Sequence, residues 1–333
     1  MEKIKLILII LFALFAGCTG EKTMITSNDN TVDSILYDKP VFTLSVHTFG
    51  TRYDVLLNGV MVYDDDSGGG QITTSVPVNH WMKAGQNSLE LIVYPDDEGI
   101  PVSKNSFINI ELLVGNDGTD KQFNIGGFEF TGKSYIDETK MKGYQLSVNS
   151  FQLDESGTLI VSDVVREDDT YFDGVVEFSK HLNIPSNLPL WAFFTSEDVI
   201  DANSLSDDEF WGLSDKIGSK LDYIRENLVA GNVDLILPLF KERNIELDQA
   251  FYYSKGTMEA KLRDSFEVDI SQLDMLNIQH KHVAYENEIN MKLASVYRKG
   301  RGAAISGNFK EGPGSLKFPI MFRKQDDKWL ITR

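Results

Sequence analysis

The stretch Tyr53-Asp54-Val55-Leu56-Leu57-Asn58-Gly59-Val60-Met61-Val62 decides the fold of the N-terminal half. Tyr53, Val55 and Leu57 precede the Asn58-Gly59 pair at a spacing of two, and apolar residues resume directly after it. A period of two is typical of half-buried strands. Asn-Gly between two such runs favours a tight hairpin, because both turn positions need a positive φ. We therefore predict a β-hairpin that turns at residues 58 and 59.

The same period recurs through the N-terminal half. It is shown by Phe42, Leu44 and Val46, by Leu89, Leu91 and Val93, and by Ile108, Ile110, Leu112 and Val114. Residues 175–178 and 190–194 also read as buried strands. Several short strands without a helical period between them indicate an antiparallel β-sandwich. We predict it over residues 36–195, either as one module or as two small β modules with a break near 120–140.

The segment Trp81-Met82-Lys83-Ala84-Gly85-Gln86-Asn87-Ser88-Leu89 resembles the W-x-K-x-G-x-N-x-L corner of immunoglobulin-like and galactose-binding-like modules. The resemblance implies that the Gly and the Asn shape the loop and that Leu89 starts a buried strand. It implies no ligand residues.

The period changes to a helical one after residue 205. Leu213, Ile217, Leu221, Ile224 and Leu228 follow each other at steps of three or four, which is one face of a helix. Ser206 is the expected N-cap and Gly231 the expected end. Asn232 is expected to start a short successor that breaks near Pro238, and Thr257 to cap a later helix with Leu262 and Phe266 on its buried face.

Strands are predicted again at about 289–298, 303–309, 315–325 and 328–333. Helices followed by an antiparallel meander indicate an α+β domain over residues 205–333. The ending Phe322-Arg323-Lys324-Gln325-Asp326-Asp327-Lys328-Trp329-Leu330-Ile331 and this order of elements resemble NTF2-like domains. That resemblance implies a bent sheet wrapped around helices, with Trp329 packed inside the cone. The predicted fold class is α+β, a β-sandwich followed by an NTF2-like domain.

The N-terminus reads as an export signal. Lys3 and Lys5 precede an apolar run from residue 6 to 17, which spans only about 18 Å as a helix and is too short for a bilayer core of about 30 Å. The run ends in Leu14-Phe15-Ala16-Gly17-Cys18, which resembles the lipobox of bacterial lipoproteins. The resemblance implies removal of residues 1–17 and acylation of Cys18. Thr19 after the Cys favours the outer membrane, and polar residues 18–35 read as a flexible tether.

Composition excludes several classes of protein. The chain has 333 residues, 42% apolar and one Cys, which predicts about two domains and excludes a disulfide framework. A net charge of −18 argues against a nucleic-acid binder. Residues 281–333 nevertheless hold eleven Lys and Arg against five acidic residues. Such a basic terminal sheet could steer an acidic partner, although solvated strand faces explain it equally simply.

Motifs for catalysis or ligand binding are weak. Residues 127–134 fit the letters of a P-loop, but no helix follows them, so we interpret the match as chance and predict no nucleotide. The acidic runs 64–66 and 96–98 lack an EF-hand spacing and read as solvated turns. His280 and His282 lie two residues apart without a metal-ligand spacing around them. We predict no cofactor and no metal.

Three functions remain open at this point. The first is a non-catalytic lipoprotein that binds a protein partner in the periplasm, for example an immunity protein that neutralises a secreted toxin. The second is a glycan or envelope-polymer binder that uses Tyr53, Tyr63, Trp81 and Tyr94. The third is a pocket enzyme on the C-terminal domain, with Asp222, Asp234 or His282 as general base. Because the sequence has no recognisable catalytic motif, we predict that the protein is not an enzyme.

Overall fold

A computed structural model describes residues 39–65, 70–94, 103–116, 122–132, 151–153, 159–161, 165–167, 175–184, 187–278, 283–288, 290–298 and 302–333. Its fold is mixed, with antiparallel sheets in the N-terminal half and helices followed by antiparallel strands in the C-terminal half. The predicted order of β and then α+β structure is confirmed at this level.

The described residues of the N-terminal half, which we call the β unit, form two larger antiparallel sheets and one two-stranded sheet. Its strands are β1 (Pro40–Phe49), β2 (Arg52–Leu57), β3 (Val60–Asp65), β4 (Gln71–Pro77), β5 (Gly85–Tyr94), β6 (Phe107–Asn116), β7 (Gln122–Thr131), β8 (Phe151–Leu153), β9 (Leu159–Val161), β10 (Val165–Glu167) and β11 (Val176–Ile184). One sheet has the order β4-β1-β6-β7 and the other the order β10-β11-β5-β2-β3. β8 and β9 pair with each other.

The alternating residues of these strands form one hydrophobic core between the sheets. On β1, Phe42, Leu44 and Val46 are fully buried, and the side chains between them are partly exposed. The predicted hairpin is confirmed, since Asn58 and Gly59 have φ values of 54° and 69°. Ile125 on β7 belongs to the same hydrophobic cluster as Phe42, Leu44 and Val46 of β1.

The predicted corner before β5 is held by one buried amide. Asn87 Oδ1 accepts the Lys83 N–H at 3.0 Å, and Asn87 Nδ2 donates to the carbonyls of Lys83 and Gly85. Gly85 has a φ of 79°, which an L residue adopts only under strain. Leu89 is the first buried apolar residue of β5. Gly85 and Asn87 therefore shape this loop, as the resemblance implies.

The C-terminal half, which we call the α+β unit, places four helices before eight strands. The helices are α1 (Asp207–Val229), α2 (Val233–Ile236), α3 (Lys241–Ala250) and α4 (Thr257–Asp269), with a 3-10 turn at Leu237–Phe240. The strands are β12 (Leu273–Met275), β13 (Val283–Asn287), β14 (Ala294–Arg298), β15 (Gly302–Ala303), β16 (Ile305–Phe309), β17 (Ser315–Phe318), β18 (Met321–Gln325) and β19 (Lys328–Ile331). They form the sheets β12-β16-β17 and β13-β14-β18-β19, with β15 beside β14.

The helix boundaries follow the expected signals. Ser206 and Glu209 form a capping box at the start of α1, and its buried stripe includes Ile217, Leu221 and Ile224. Gly231 has a φ of 74° just after the helix. The final hairpin pairs Phe322 with Ile331, and its Trp329 side chain is buried.

Three local predictions are wrong. Residues 190–194 lead into a 3-10 turn at Ala192–Thr195, and Leu190 is 59% exposed, because Trp191 and Phe193 enter the core without strand pairing. Thr257 is the first residue of α4 and its N-cap is Gly256, which has a φ of 88°. Only residues 294–298 of the predicted 289–298 strand are found as a strand, β14. Met291 turns the chain between β13 and β14 with a φ of 56°.

Candidate functional site

Two of the three residues that the sequence offers for catalysis, Asp222 and Asp234, lie among the described residues, and each is close to an arginine. Asp222 lies 3.6 Å from Arg225 on its own helix, and Asp234 forms a 2.6 Å ion pair with Arg263 while remaining largely exposed. Cys18, His280 and His282 lie outside the described residues. Both aspartates therefore act as surface ion-pair partners.

Most of the sequence that resembles a P-loop lies in a β-strand. Gly127 and the residues up to Thr131 belong to β7, which pairs with β6. A Cβ on Gly127 would lie 2.0 Å from the Ile110 carbonyl oxygen, so this Gly is needed where the two strands approach closely. Lys133 and Ser134 lie outside the described residues, as do 66–69 and the acidic run at 96–98.

The aromatic residues of the glycan hypothesis do not form an exposed platform. Tyr53 and Trp81 are buried in the core, and Tyr63 and Tyr94 are half-buried. The Tyr94 hydroxyl donates to Asp54 Oδ2 at 2.6 Å. Two of the four aromatic residues are therefore part of the core, and the other two are only partly exposed.

A cavity of about 540 Å³ opens at the end of the helical layer. Its apolar lining includes Leu228, Val229, Val233, Phe266, Ile270, Leu273 and Met275. Two cations also line it. Arg225 Nε donates to the Leu276 carbonyl, and Lys310 Nζ donates to the Ser271 carbonyl at 2.8 Å. The cavity is large enough for an apolar side chain, and its lining also includes the acidic residues Glu267 and Asp274.

Large aliphatic side chains are exposed on the same helices. Val229 at the end of α1 is 57% exposed, Leu235 on α2 is 56% exposed, and Leu239 and Val268 are 43% and 55% exposed. We call these four residues the helical face. Of these four residues, Val229 also lines the cavity. Exposed large aliphatic side chains that lie together mark surfaces that contact other proteins.

The β unit and the α+β unit meet at a junction rich in hydrogen bonds. Asn79 is fully buried there, and its Oδ1 accepts the Phe42 N–H at 2.6 Å. Its Nδ2 donates to the Pro40 carbonyl at 2.7 Å and to the Ala250 carbonyl of α3 at 2.8 Å. One amide thus fixes the start of β1 to the end of a helix 171 residues further along the chain.

A second contact joins the hairpin at 58–59 to the turn after β13. The Asn290 N–H donates to the Gly59 carbonyl at 3.2 Å, and Asn290 Nδ2 donates to the Asn58 carbonyl. The Met61 N–H donates to Glu288 Oε2 at 3.0 Å. Burial and the nearby Glu286 and Asp54 raise the pKa of Glu288 to about 7.

The third contact is ionic and is formed by Arg333, the last residue of the sequence. Arg333 Nη1 donates to Glu246 Oε2 on α3 at 2.6 Å, and Nη2 donates to the His80 carbonyl at 2.9 Å. The guanidinium carbon lies 5.2 Å from the Trp81 ring centroid and 4.8 Å from that of Phe193. Aromatic faces and a carboxylate together stabilise this cation away from water.

His80 stays neutral in this environment. Burial lowers its pKa well below 6.5, and the positive charges of Arg333 and Arg243 lower it further. Its ring packs against Trp81 and Phe251 with centroid distances of 4.7 Å and 5.5 Å. At pH 7 the junction therefore gains no positive charge from His80.

A comparison of the chain with protein families, with curated proteins and with solved structures finds none that matches. Within the described ranges, no cluster of three or more His, Cys, Asp or Glu side chains is arranged to hold a metal ion. Of the helices in those ranges, none is both long and apolar enough to cross a bilayer.

Sequence reasoning missed both the helical face and the junction. The helical face had a readable signal, because Leu235 and Leu239 are four residues apart beside the buried pair Ile236 and Phe240, which makes a second apolar stripe. The junction had no such signal in the sequence. Arg243 and Glu246 look like solvated helix residues, and nothing near Arg333 in the sequence indicates its partner 87 residues away.

Proposed function

We propose that this protein is a non-catalytic lipoprotein of the bacterial cell envelope that binds a protein partner in the periplasm. The anchor in this proposal is the acylated Cys18, followed by the tether at 18–35, most simply at the outer membrane. The folded parts would be an immunoglobulin-like or galactose-binding-like β-sandwich and an NTF2-like domain. The antiparallel sheets of the N-terminal half and the helices that precede antiparallel strands in the C-terminal half support that assignment.

The helical face is the observation that carries the proposal. It consists of four aliphatic side chains that are at least 43% exposed, and one of them, Val229, lines a cavity whose walls are partly apolar. Each would gain about 1–2 kcal/mol from full burial against a partner. An apolar side chain of the partner that enters the cavity would act as the central anchor of the interface, since such anchors dominate binding energy.

One specific form of this function is an immunity protein that neutralises a toxin delivered by neighbouring cells. The membrane anchor would hold it where such a toxin enters the periplasm. Deletion of the gene should then make cells sensitive to their own siblings, and restoration of the full chain should protect them. Undiminished growth of the deletion strain beside toxin-producing siblings would count against this form.

The binding proposal is tested by capture from the producing bacterium. We expect the full chain, crosslinked in cells and recovered with detergent, to bring down one stoichiometric protein. The double substitution L235E/L239E should abolish capture, because two carboxylates would be buried without partners. L190E is the matched control, since Leu190 is 59% exposed but lies outside the helical face. Equal capture by both variants would exclude the helical face as the binding surface.

The anchor is tested separately. C18S should release the protein from the membrane fraction while leaving the fold and the helical face intact. Membrane association that survives this substitution would contradict the lipoprotein assignment.

A further inference from the structure

Arg243 on α3 carries a positive charge that no carboxylate neutralises. Its Nη1 donates to Asn244 Oδ1 at 3.0 Å, and it forms no ion pair with any residue in the part of the chain that the structure describes. The two glutamates of the same helix are already used. Glu242 accepts two hydrogen bonds from Arg323, at 2.7 Å and 2.6 Å, and Glu246 accepts from Arg333 and from the Ala192 N–H.

Two hydrogen-bond donors beside it also lack an acceptor. Arg333 Nε and Asn244 Nδ2 are both buried without a hydrogen-bond partner, and so is the Nδ1 atom of His80. Buried donors are nearly always paired, and each unpaired donor costs about 1–3 kcal/mol. The two unpaired donors, Arg333 Nε and Asn244 Nδ2, therefore indicate that an acceptor belongs there.

The charges of the junction point in the same direction. Arg243, Arg323 and Arg333 carry three positive charges, Glu242 and Glu246 carry two negative charges, and His80 is neutral. Arg333 is close enough to Arg243 to lower the pKa of Arg243, together with burial, to about 10. Because Arg323 pairs with Glu242 and Arg333 with Glu246, the guanidinium of Arg243 is left without a carboxylate partner among the described residues. The rings of Trp81, Phe193 and Phe251 wall the same junction. A water molecule could satisfy donors there but would leave this charge unbalanced.

We infer that the junction around Arg243 and Arg333 is a binding site for an oxyanion, either a carboxylate or a phosphate. Such a group brings the missing negative charge and at least two acceptor oxygens, which match the fork of a guanidinium. Arg243 is only partly buried and forms the outer side of the site, whereas Arg333 and Asn244 form its inner side. Arg243 thus gives the anion its route from solvent.

The site is independent of the helical face and of the lipid anchor. It is built from the β unit through His80, from α3 through Arg243 and Asn244, and from the end of the chain through Arg333. An anion bound here contacts both units, so it would stabilise their junction in addition to any role in recognition.

The test is thermal unfolding of the full chain, purified in detergent, at pH 7 and constant ionic strength. Sodium phosphate or sodium acetate replaces sodium chloride in steps. We expect a saturable rise in the midpoint temperature with at least one of the two anions, because a ligand that binds only the folded state stabilises it. A response to acetate alone identifies a carboxylate site, and a response to phosphate alone identifies a phosphate site.

The substitution Arg243→Gln should weaken the apparent affinity for the responding anion by about tenfold or more. Arg263→Gln is the matched control, because Arg263 lies on the neighbouring helix and already pairs with Asp234 and Glu267. It should leave the response unchanged. If R243Q does not fold, the inference is tested by calorimetric titration of the unmodified chain with phosphate and with acetate. Absence of saturable heat with both anions would overturn the inference, as would an equal response in R243Q and in R263Q.

Discussion

Arg333 Nη1 and Glu246 Oε2 lie 2.6 Å apart, and this ion pair joins the end of the chain to α3. The side chain of Arg333 is 4% exposed and that of Glu246 is 11% exposed. Glu246 also accepts the Ala192 N–H through its other oxygen at 2.6 Å. One carboxylate therefore holds together the segment before α1, the helix α3 and the last residue of the sequence.

Removal of either partner should destabilise the protein strongly. We expect Arg333→Met to lower the free energy of unfolding by about 3 kcal/mol, since it leaves Glu246 as an unpaired buried charge. Urea unfolding followed by tryptophan fluorescence measures the change. Arg225→Met is a useful comparison, because Arg225 lies in a more exposed ion pair with Asp222. A loss in R333M no larger than in R225M would show that the junction tolerates an unpaired Glu246.

Lys180 is the clearest case of a residue that works against stability. Its side chain lies on the core face of β11 between Phe178 and Leu182, it is 1% exposed, and its Nζ has no hydrogen-bond partner. Burial lowers its pKa to about 8. We expect Lys180→Met to raise the free energy of unfolding at pH 7 by about 2 kcal/mol, because a thioether fills similar space without an ammonium group.

The lowered pKa of Lys180 determines how the free energy of unfolding changes with pH. The unfolded chain keeps this proton up to about pH 10.5, whereas the folded chain loses it near pH 8. The unmodified protein should therefore gain stability relative to K180M between pH 8 and pH 10.5. Lys220→Met, at an exposed position of α1, should show no such dependence. A K180M protein that is less stable at pH 7 would refute the prediction.

Glu288 should make the protein less stable as the pH rises from 4.5 to 7. Its pKa is raised to about 7, so the folded state holds a proton that the unfolded state releases near pH 4.5. Glu288→Gln keeps an oxygen that can accept the Met61 N–H but cannot ionise. We expect E288Q to match the unmodified protein at pH 4.5 and to exceed it by about 2 kcal/mol at pH 8.

The measurement for Glu288 is the difference in unfolding free energy between the two proteins at each pH. Glu226→Gln is the control, since Glu226 is exposed on α1. A pH-independent difference for E288Q would mean that Glu288 is ionised in the folded protein throughout this range.

Asn79 should be among the residues whose loss is least tolerated. Its amide makes three buried hydrogen bonds, and Asn79→Ala leaves the Phe42 N–H and the Pro40 and Ala250 carbonyls without that partner. We expect a loss of about 3 kcal/mol in unfolding free energy. Asn203→Ala, at an exposed position, should change it by less than about 0.5 kcal/mol. Hydrogen exchange at Phe42 offers a direct readout, because its amide would become exchangeable.

Local patterns predicted the parts of this fold whose causes are local. The turn at Asn58-Gly59, the capping box at Ser206 and the end of α1 at Gly231 depend on residues within a few positions of each other. Their sequence signals are therefore sufficient. Residues 190–194 show where this fails, because an apolar run has the same appearance whether it pairs as a strand or only inserts Trp191 and Phe193 into a core.

The junction could not be predicted for a different reason. Its arginine side chains make hydrogen bonds to residues that are 81 to 253 positions away. Arg323 donates to Glu242, and Arg333 donates to the His80 carbonyl. Charged side chains on a helix are solvated far more often than they are buried in pairs. Only the three-dimensional arrangement separates Glu246 from the exposed acids on the same helices.

Ala250 and Leu293 lie in the α+β unit but belong to the hydrophobic cluster of the β unit. Neither half can therefore be excised and expressed without exposing apolar surface that the other half covers. Calorimetry of the intact chain should record one endotherm, and a deletion that stops near residue 195 should yield insoluble protein. Evolutionary exchange of either half between unrelated chains would require both sides of the shared core to change together.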